Sequence, residues 1–125
     1  MTKWILIVDD EEATAWALAE GLREAGLEAE TAHSSDEAIA RCRQRHFDLV
    51  ITDVRLPDRS GIEFLDELAA SPPVPPAIVM SAFGGPEVEA AVERLGALAF
   101  FQKPFDVELL TSTVTTVLTV DRAST

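Results

Sequence analysis

The sequence contains little cysteine, few basic residues and no long apolar run. Its 125 residues include a single cysteine, Cys42, which excludes an internal disulfide. Lysine and arginine number 10 against 22 aspartates and glutamates, for a formal net charge of -12. Because such a surface repels nucleic-acid phosphates and anionic lipid, we expect no direct binding of nucleic acid and no membrane association. Cations and other proteins are the expected partners.

We expect neither an export signal nor a membrane span. No charged segment followed by an apolar one precedes the first apolar run, Trp4 to Val8. The longest apolar stretches are far shorter than the roughly 20 residues that cross a bilayer. We therefore expect a cytoplasmic protein.

Length and composition indicate one folded domain. Apolar residues make up 47% of the chain and charged residues 26%, which is typical of globular proteins. A chain of this length buries one continuous core but is too short for two. We expect residues 1–120 to form the domain and residues 121–125 to begin a linker or C-terminal tail.

Hydrophobic patterns predict five strands, each followed by a helix. The strands are expected at residues 4–8, 27–32, 48–52, 77–80 and 98–101. Ser34 with Glu37 and Ser60 with Glu63 form capping boxes that begin the second and third helices, and Asp106 caps the last one. Since parallel strands need crossover connections, this repetition predicts an α/β fold, an open, doubly wound parallel sheet with helices on both faces.

Helical spacing also predicts which side chains face the core. The third helix is expected to turn inward Ile62, Leu65, Leu68 and Ala69. Further packing residues are expected at Trp4, Trp16 and Cys42.

Charged and polar side chains follow the predicted strands at the points where the strands end. In doubly wound sheets, ligands bind at these carboxyl ends. Two carboxylates about 4 Å apart repel by roughly 4 kcal/mol at an effective dielectric near 20, so three of them require a counter-charge. A divalent cation supplies one. The residues at these ends are Asp9, Asp10, Asp53, Ser81 and Lys103.

The donor types favour Mg²⁺, or Mn²⁺ as a substitute. Carboxylate oxygens suit these hard cations, whereas Zn²⁺ prefers histidine and cysteine. His33 follows the second predicted strand and His46 lies near a helix end, which are the wrong places for metal ligands. A calcium-binding hand is excluded because no acidic residues alternate across a loop of the required length.

Five separated segments resemble the receiver domain of bacterial two-component response regulators. They are Val8-Asp9-Asp10-Glu11, the Asp53-Val54-Arg55-Leu56-Pro57 loop, Gly61, Ser81-Ala82 and Lys103-Pro104-Phe105. The resemblance covers residues 3–119 and implies a flavodoxin-like sheet with strand order 2-1-3-4-5. The sequences of the loops after the third and fifth strands are most similar to those of receivers attached to enhancer-binding transcription activators.

The resemblance also implies roles for individual residues. Asp53 would be the phosphoacceptor, and Asp10, Asp53 and the backbone carbonyl of Arg55 would bind the metal, with Asp9 acting through metal-held water. Lys103 would pair with Asp53 and then with the phosphoryl group. The phosphoryl oxygens would also be received by Ser81 and the amide of Ala82, and Phe100 would be the aromatic switch residue.

A receiver of this kind accepts a phosphoryl group and is not a turnover enzyme. Its donor would be a phosphohistidine on a sensor histidine kinase or phosphotransfer protein, or a small molecule such as acetyl phosphate. The resemblance implies an output face made of the fourth helix, fifth strand and fifth helix, homodimerisation through that face, and a C-terminal output domain beyond this chain.

The chain departs from the commonest receiver pattern at two positions. Ser81 stands where threonine is frequent, and Phe100 stands where tyrosine is frequent, so no phenol hydroxyl is present at the switch position. Arg55 and Phe83 are bulky neighbours of the acceptor, and we expect them to tune hydrolysis of the acyl phosphate.

Three other classes of protein share part of this pattern. An aspartate-nucleophile phosphatase carries a second acid two residues after the nucleophile, where this chain has Arg55. A flavodoxin-like redox protein needs a phosphate cradle rich in serine, threonine and glycine after the first strand, where this chain has acids. A pseudo-receiver that only binds other proteins remains the alternative, although Asp53 and Lys103 are both present.

Single residues also have plainer interpretations. The acids after the first strand complement a helix dipole, and a lysine before proline is usually a surface turn. Ser81 alone suits a strand end, and Phe100 alone suits a core. It is their combination at one edge of the sheet that favours a phosphoryl-transfer site.

Overall fold

Five strands and five helices alternate along the chain. The computed structural model describes the backbone of residues 2–123 and the side chains of residues 2–118. The strands are β1 (Trp4–Val8), β2 (Glu28–Ala32), β3 (Leu49–Asp53), β4 (Ala77–Ser81) and β5 (Ala99–Gln102). The helices are α1 (Glu12–Glu24), α2 (Ser35–Gln44), α3 (Gly61–Ala69), α4 (Pro86–Leu95) and α5 (Val107–Ala123).

The strands form one parallel sheet in the order β2-β1-β3-β4-β5. Strand β1 pairs with both β2 and β3, so the chain reverses its direction of winding after β2. The carboxyl ends of β1 and β3 therefore lie side by side at the middle of the sheet, where such folds place their ligand sites. The predicted fold class and strand order are confirmed.

Helices cover both faces of the sheet and create two cores. Along β1, Ile5 and Ile7 join one core, whereas Leu6 and Val8 join the other. The first core is completed by apolar residues of α1 and α5, and the second by residues of α2 and α3. Because every residue of the strand interior faces a core, β1 reads as a continuous apolar run without alternation.

The predicted helix caps are present at the helix starts. The Ser34 hydroxyl accepts a hydrogen bond from the Glu37 amide at 3.1 Å. Ser60 accepts from the amides of Ile62 at 2.9 Å and Glu63 at 3.4 Å. These hydroxyls satisfy backbone donors that have no partner inside the helix, which is why the chain begins a helix at these positions.

Two predicted packing assignments are wrong. Trp16 is 66% exposed on α1, because its position lies one residue past Ala15 on the solvent side of the helix. Ala69 is exposed at the end of α3, and Phe64, which the helical pattern missed, is fully buried instead. Phenylalanine offers far more apolar surface than alanine, so α3 gains more by turning Phe64 toward the core than by turning Ala69 toward it.

Trp4 and Cys42 are only partly buried. The Arg45 guanidinium lies over the Trp4 ring, 3.7 Å from its centroid, and covers it from solvent. Burial raises the pKa of the Cys42 thiol to about 11. The thiol is therefore protonated and packs as a small apolar group.

The C-terminal boundary remains a prediction. Helix α5 is assigned as far as Ala123, and the last two residues of the predicted linker, 124 and 125, lie outside the described residues. Within the described part of the chain, no helix combines the length and the apolar character needed to cross a membrane.

Candidate functional site

Three carboxylates and one ammonium meet at the carboxyl edge of the sheet. Asp9 and Asp10 follow β1, Asp53 ends β3, and Lys103 follows β5. One carboxylate oxygen from each aspartate lies within 4.8 Å of the others. The structure therefore brings together these four predicted site residues, although they come from distant parts of the chain.

Lys103 joins two of these carboxylates directly. Its Nζ lies 2.6 Å from Asp53 Oδ2 and 2.7 Å from Asp9 Oδ2. Asp9 is fully buried and Asp53 is 6% exposed, so the ammonium neutralises charges that water reaches poorly. A cation shared by two buried anions keeps both carboxylates close together without a metal.

Burial and hydrogen bonding act against each other at these groups. Burial raises the pKa of Asp9 above its ordinary value, while hydrogen bonds from Lys103 and from the Glu11 amide partly offset the rise. For Lys103, burial would lower the pKa, but the hydrogen bonds to Asp53 and Asp9 outweigh it and raise the pKa. Lys103 is therefore fully charged at neutral pH.

Backbone and side-chain donors hold Asp53 in place. The Arg55 amide donates to Asp53 Oδ1 at 3.0 Å, and Lys103 occupies Oδ2. The Thr52 hydroxyl donates to the Asp53 carbonyl at 3.0 Å. Both the carboxylate and the backbone of this residue are thus oriented before any ligand arrives.

Gly61 allows α3 to approach Asp53 closely. A Cβ placed on Gly61 would lie 2.0 Å from the carbonyl oxygen of Asp53 and 2.9 Å from Thr52 Oγ1. The Gly61 amide also donates to the Val54 carbonyl at 2.7 Å. Any side chain at Gly61 would displace the backbone that carries Asp53.

A cavity of about 330 Å³ opens beside the carboxylates. Its lining residues are Asp9, Asp10, Glu11, Asp53, Arg55, Leu56, Pro57, Ala82 and Lys103. At its rim, the Arg55 guanidinium stacks over the Phe83 ring, 4.3 Å from the centroid. The two bulky neighbours singled out from the sequence therefore contact each other.

Ser81 and Ala82 have different positions relative to this cavity. Ala82 is exposed and lines it, whereas Ser81 is buried at the end of β4. The Ser81 hydroxyl oxygen accepts a hydrogen bond from the Phe83 amide at 3.1 Å. In this structure the hydroxyl is thus engaged with its own loop.

Phe100 lies on the side of the sheet covered by α4. It is half-buried and packs against the core that contains Val79 and Phe64. All ten residues of α4 are described, and none of them is fully buried. This helix is accordingly held less firmly than α1, which buries Leu18 and Leu22 completely.

The donor set fits a hard divalent cation. Three carboxylates face one ammonium, so with every group ionised two negative charges remain uncompensated. Carboxylate oxygens are the ligands that Mg²⁺ and Mn²⁺ prefer, and the exposed Asp10 is accessible from the cavity.

Two residues near the site were not predicted from the sequence. The ring Nδ1 of His33 lies 3.1 Å from the carbonyl oxygen of Asp9. Asp58, in the loop after β3, hydrogen-bonds to the start of α2. Neither position follows from local spacing, because each contact joins residues more than 20 positions apart.

The chain is thus an α/β protein of flavodoxin-like topology. At the carboxyl ends of its strands, it carries an acidic site whose carboxylates are bridged by a lysine. Residues 5–115 match the response regulator receiver domain family, and the chain belongs to that family. The resemblance drawn from the sequence is thereby confirmed.

Curated relatives and a solved structure agree with this assignment. The chain is 40% identical over 112 residues to the transcriptional regulatory protein ZraR of Salmonella typhimurium, covering 88% of this chain and 25% of that protein. The DNA-binding transcriptional regulator NtrC of the same species is 28% identical, over 83% of this chain and 22% of that protein. The chain thus spans about a quarter of the length of these relatives.

A CheY-like receiver domain from Methanospirillum hungatei superposes with a TM-score of 0.92 at 27% identity, and each chain is covered completely. This likeness includes the sheet and all its flanking helices. The order of strands described above is therefore shared with a solved receiver domain.

Proposed function

We propose that this chain is the phosphoacceptor domain of a two-component phosphorelay, with Asp53 as the acceptor. The observation that carries the proposal is the Lys103 ammonium, 2.6 Å from Asp53 and 2.7 Å from Asp9 at the edge of an open cavity. An oriented carboxylate beside a fixed cation is what a phosphoryl transfer requires, since catalysis there is mainly positioning and charge neutralisation.

The chemical step is nucleophilic attack by a carboxylate on phosphorus. An Asp53 oxygen forms the new O–P bond, the P–N bond of a phosphohistidine on a sensor histidine kinase or phosphotransfer protein breaks, and its electron pair returns to the imidazole nitrogen. Lys103 keeps its contact with the acceptor and neutralises phosphoryl oxygens. Water later hydrolyses the acyl phosphate, so the domain is not a turnover enzyme.

A divalent cation would be held by the carboxylates of Asp10 and Asp53 and by the backbone carbonyl of Arg55, with Asp9 as an outer partner. When bound, Mg²⁺ or Mn²⁺ supplies positive charge for the phosphoryl oxygens during transfer. The uncompensated negative charge of the three carboxylates supports this assignment.

The signalled state would arise by repacking around α4 and β5. Ser81 and the Ala82 amide would receive phosphoryl oxygens, which requires the Ser81 hydroxyl to leave the Phe83 amide. Phe100 would then move inward. The absence of fully buried residues in the described helix α4 supports this motion, because few apolar contacts oppose it.

The partners follow from the proposed role. The donor is a sensor kinase or phosphotransfer protein, and the receiver acts on a C-terminal output domain; ZraR and NtrC, to which this chain is similar, are transcriptional regulators. The face of α4, β5 and α5 would serve as a homodimer surface; Leu98, just before β5, and Leu109, on α5, are 46% and 57% accessible.

Intact-mass measurement tests the acceptor role. The native chain, incubated with acetyl phosphate or phosphoramidate and Mg²⁺, is expected to gain one phosphoryl group. Asp53→Asn should gain none, and EDTA should block the gain in the native chain. An unchanged native mass with both donors would support a protein-binding module without phosphoryl chemistry.

A further inference from the structure

The loop between β3 and α3 is fastened to the start of helix α2 by Asp58. Asp58 Oδ1 accepts hydrogen bonds from the Ser35 amide at 3.0 Å and the Ser35 hydroxyl at 2.7 Å. Its other oxygen, Oδ2, accepts from the Asp36 amide at 2.9 Å. The first two amides of α2 are thus capped by a side chain 22 to 23 positions further along the chain.

This cap completes the end of the helix together with Ser34. Ser34 accepts from the third amide of α2, that of Glu37, and Asp58 takes the first two. A carboxylate at this end also complements the positive pole of the helix dipole. The hydrogen bonds from Ser35, chiefly from its hydroxyl, hold the pKa of Asp58 well below its usual range.

Arg59 reinforces the same attachment. Its guanidinium donates to Asp36 at 2.8 Å and to Glu67 at 2.8 Å, and so joins the loop to both α2 and α3. The Arg59 amide donates to Asp58 at 2.9 Å. The ion pair with α2 is partly open to solvent, since the Asp36 side chain is 78% exposed, whereas Asp58 accepts three hydrogen bonds from α2, so we assign the main fastening to the Asp58 carboxylate.

The fastened loop is also held together at its base. Arg55 and Ser60 form an antiparallel bridge across it, and the Gly61 amide donates to Val54 at 2.7 Å. At its first turn, the Arg55 amide donates to Asp53. We therefore expect a displacement at Asp58 to reach the backbone of Arg55, which lies three residues away in the same loop.

We propose that Asp58 is a positioning residue for the cation site, which holds the Arg55 carbonyl at the cavity by clamping its loop to α2. The inference rests on the proposed function, in which that carbonyl is a ligand. Asp58 itself does not face the cation, since both of its oxygens are occupied by α2. Its contribution is to reduce the freedom of the loop before the cation binds.

The test compares the Mg²⁺ affinity of four proteins, measured by titration calorimetry on the metal-free chain. Asp58→Ala should weaken Mg²⁺ binding by about tenfold, as loss of an orienting partner does in other metal sites. Ser34→Ala removes a cap from the same helix without touching the loop, and it should change the affinity by less than about twofold. Asp58→Asn keeps one acceptor oxygen and should fall between the native chain and Asp58→Ala.

A second readout follows the loop itself. Amide hydrogen exchange of Arg55 and Gly61 in the metal-free chain should accelerate in Asp58→Ala and stay unchanged in Ser34→Ala. Equal Mg²⁺ affinities for Asp58→Ala and Ser34→Ala would overturn the inference, as would an affinity of Asp58→Asn equal to that of the native chain with unchanged exchange. If Asp58→Ala does not fold, Asp58→Asn against Ser34→Ala decides the same question.

The same measurements distinguish failure of the proposed function from failure of the role assigned to Asp58. A native chain that binds no Mg²⁺ overturns both proposals. A native chain that binds Mg²⁺ and accepts a phosphoryl group, with Asp58→Ala binding as tightly as Ser34→Ala, overturns only the role of Asp58.

Discussion

Lys103 Nζ and Asp53 Oδ2 lie 2.6 Å apart, although 50 positions separate them in the chain. The contact joins the end of β5 to the end of β3 across the intervening β4. It places the positive charge of the Lys103 ammonium directly against the carboxylate of the candidate acceptor, Asp53. The metal-free site depends on this one ammonium, which also neutralises Asp9.

Replacing Lys103 should therefore destabilise the metal-free domain. Lys103→Ala leaves Asp9 and Asp53 buried without a cation, and we expect a loss of about 3 kcal/mol in the free energy of unfolding. Urea unfolding in EDTA measures it. Mg²⁺ should then stabilise the variant more than the native chain, because the metal supplies the missing charge.

The control for this substitution is Lys3→Ala. Lys3 Nζ lies 3.9 Å from Asp48 in a partly exposed pair at the long end of ion-pair distances, and its loss should cost less than about 1 kcal/mol. A Lys103→Ala chain that is as stable as Lys3→Ala would show that the ammonium is not needed to hold the carboxylates together.

The stability of the metal-free domain should depend on pH through Asp9. Burial raises its pKa above the ordinary 3.8, so the folded chain holds this proton at pH values where the unfolded chain has lost it. The resulting stability is complete below 3.8 and is lost as the pH rises through the raised pKa. Asp9→Asn removes this loss, so the stability of the variant relative to the native chain should increase with pH.

Urea unfolding in EDTA between about pH 4 and pH 7 measures this difference. Asp66→Asn is the control whose effect should not change over this range. Arg94 lowers the pKa of Asp66, so its stabilisation is complete above 3.8 and is lost only at lower pH. A difference between Asp9→Asn and the native chain that is as independent of pH as the difference for Asp66→Asn would contradict the assignment.

A side chain at Gly61 should damage the acceptor. Gly61→Ala places a Cβ 2.0 Å from the Asp53 carbonyl, and relief of this overlap should cost about 1 to 3 kcal/mol of stability. The rate of phosphoryl uptake, followed by intact mass, should fall because Asp53 moves relative to Lys103. Gly84→Ala is the matched control, since its Cβ would meet no heavy atom nearer than 3.8 Å.

Phe83 should influence how long the acyl phosphate survives. Phe83→Ala removes the ring on which the Arg55 guanidinium stacks, at a stability cost of about 0.5 to 1 kcal/mol. Arg55 is then free to leave the rim of the cavity, and water reaches Asp53 more easily. Loss of the phosphoryl mass with time should be faster than in the native chain and in Val74→Ala, another exposed apolar site. Identical lifetimes would exclude a role for the stack.

The two misassigned aromatic positions give a further check. Phe64→Ala should cost about 3 to 5 kcal/mol, because its ring is fully buried. Trp16→Ala should change stability by less than about 0.5 kcal/mol, because the Trp16 side chain is 66% exposed. Thermal unfolding of both variants measures the contrast, and a large loss for Trp16→Ala would show that this residue packs in solution.

Much of the secondary structure could be predicted from local sequence patterns. The strand β1 was predicted with its observed bounds, and Ser34 and Ser60 cap the helices that they were expected to begin. These features depend on residues within one turn or one strand, so periodicity and capping chemistry determine them. Errors appear where one helical position separates core from solvent, as at Trp16 and Phe64.

Part of the site could likewise be predicted from the sequence, and part could not. Residue types at the strand ends predicted that Asp9, Asp10, Asp53 and Lys103 would share one edge, because parallel strands align their carboxyl ends. No local pattern indicates that Asp58 caps α2, since that contact depends on how the loop after β3 lies against another helix.

The amino-acid sequence by itself determined the alternation of strands and helices and the chemistry offered at the strand ends, because these depend on short-range spacing. Only the tertiary structure decided that one ammonium bridges two carboxylates, that α3 approaches the Asp53 carbonyl too closely for any side chain at Gly61, and that Asp58 holds the neighbouring helix. Such contacts arise from the packing of elements far apart in the chain, where distances of a few tenths of an ångström separate contact from overlap.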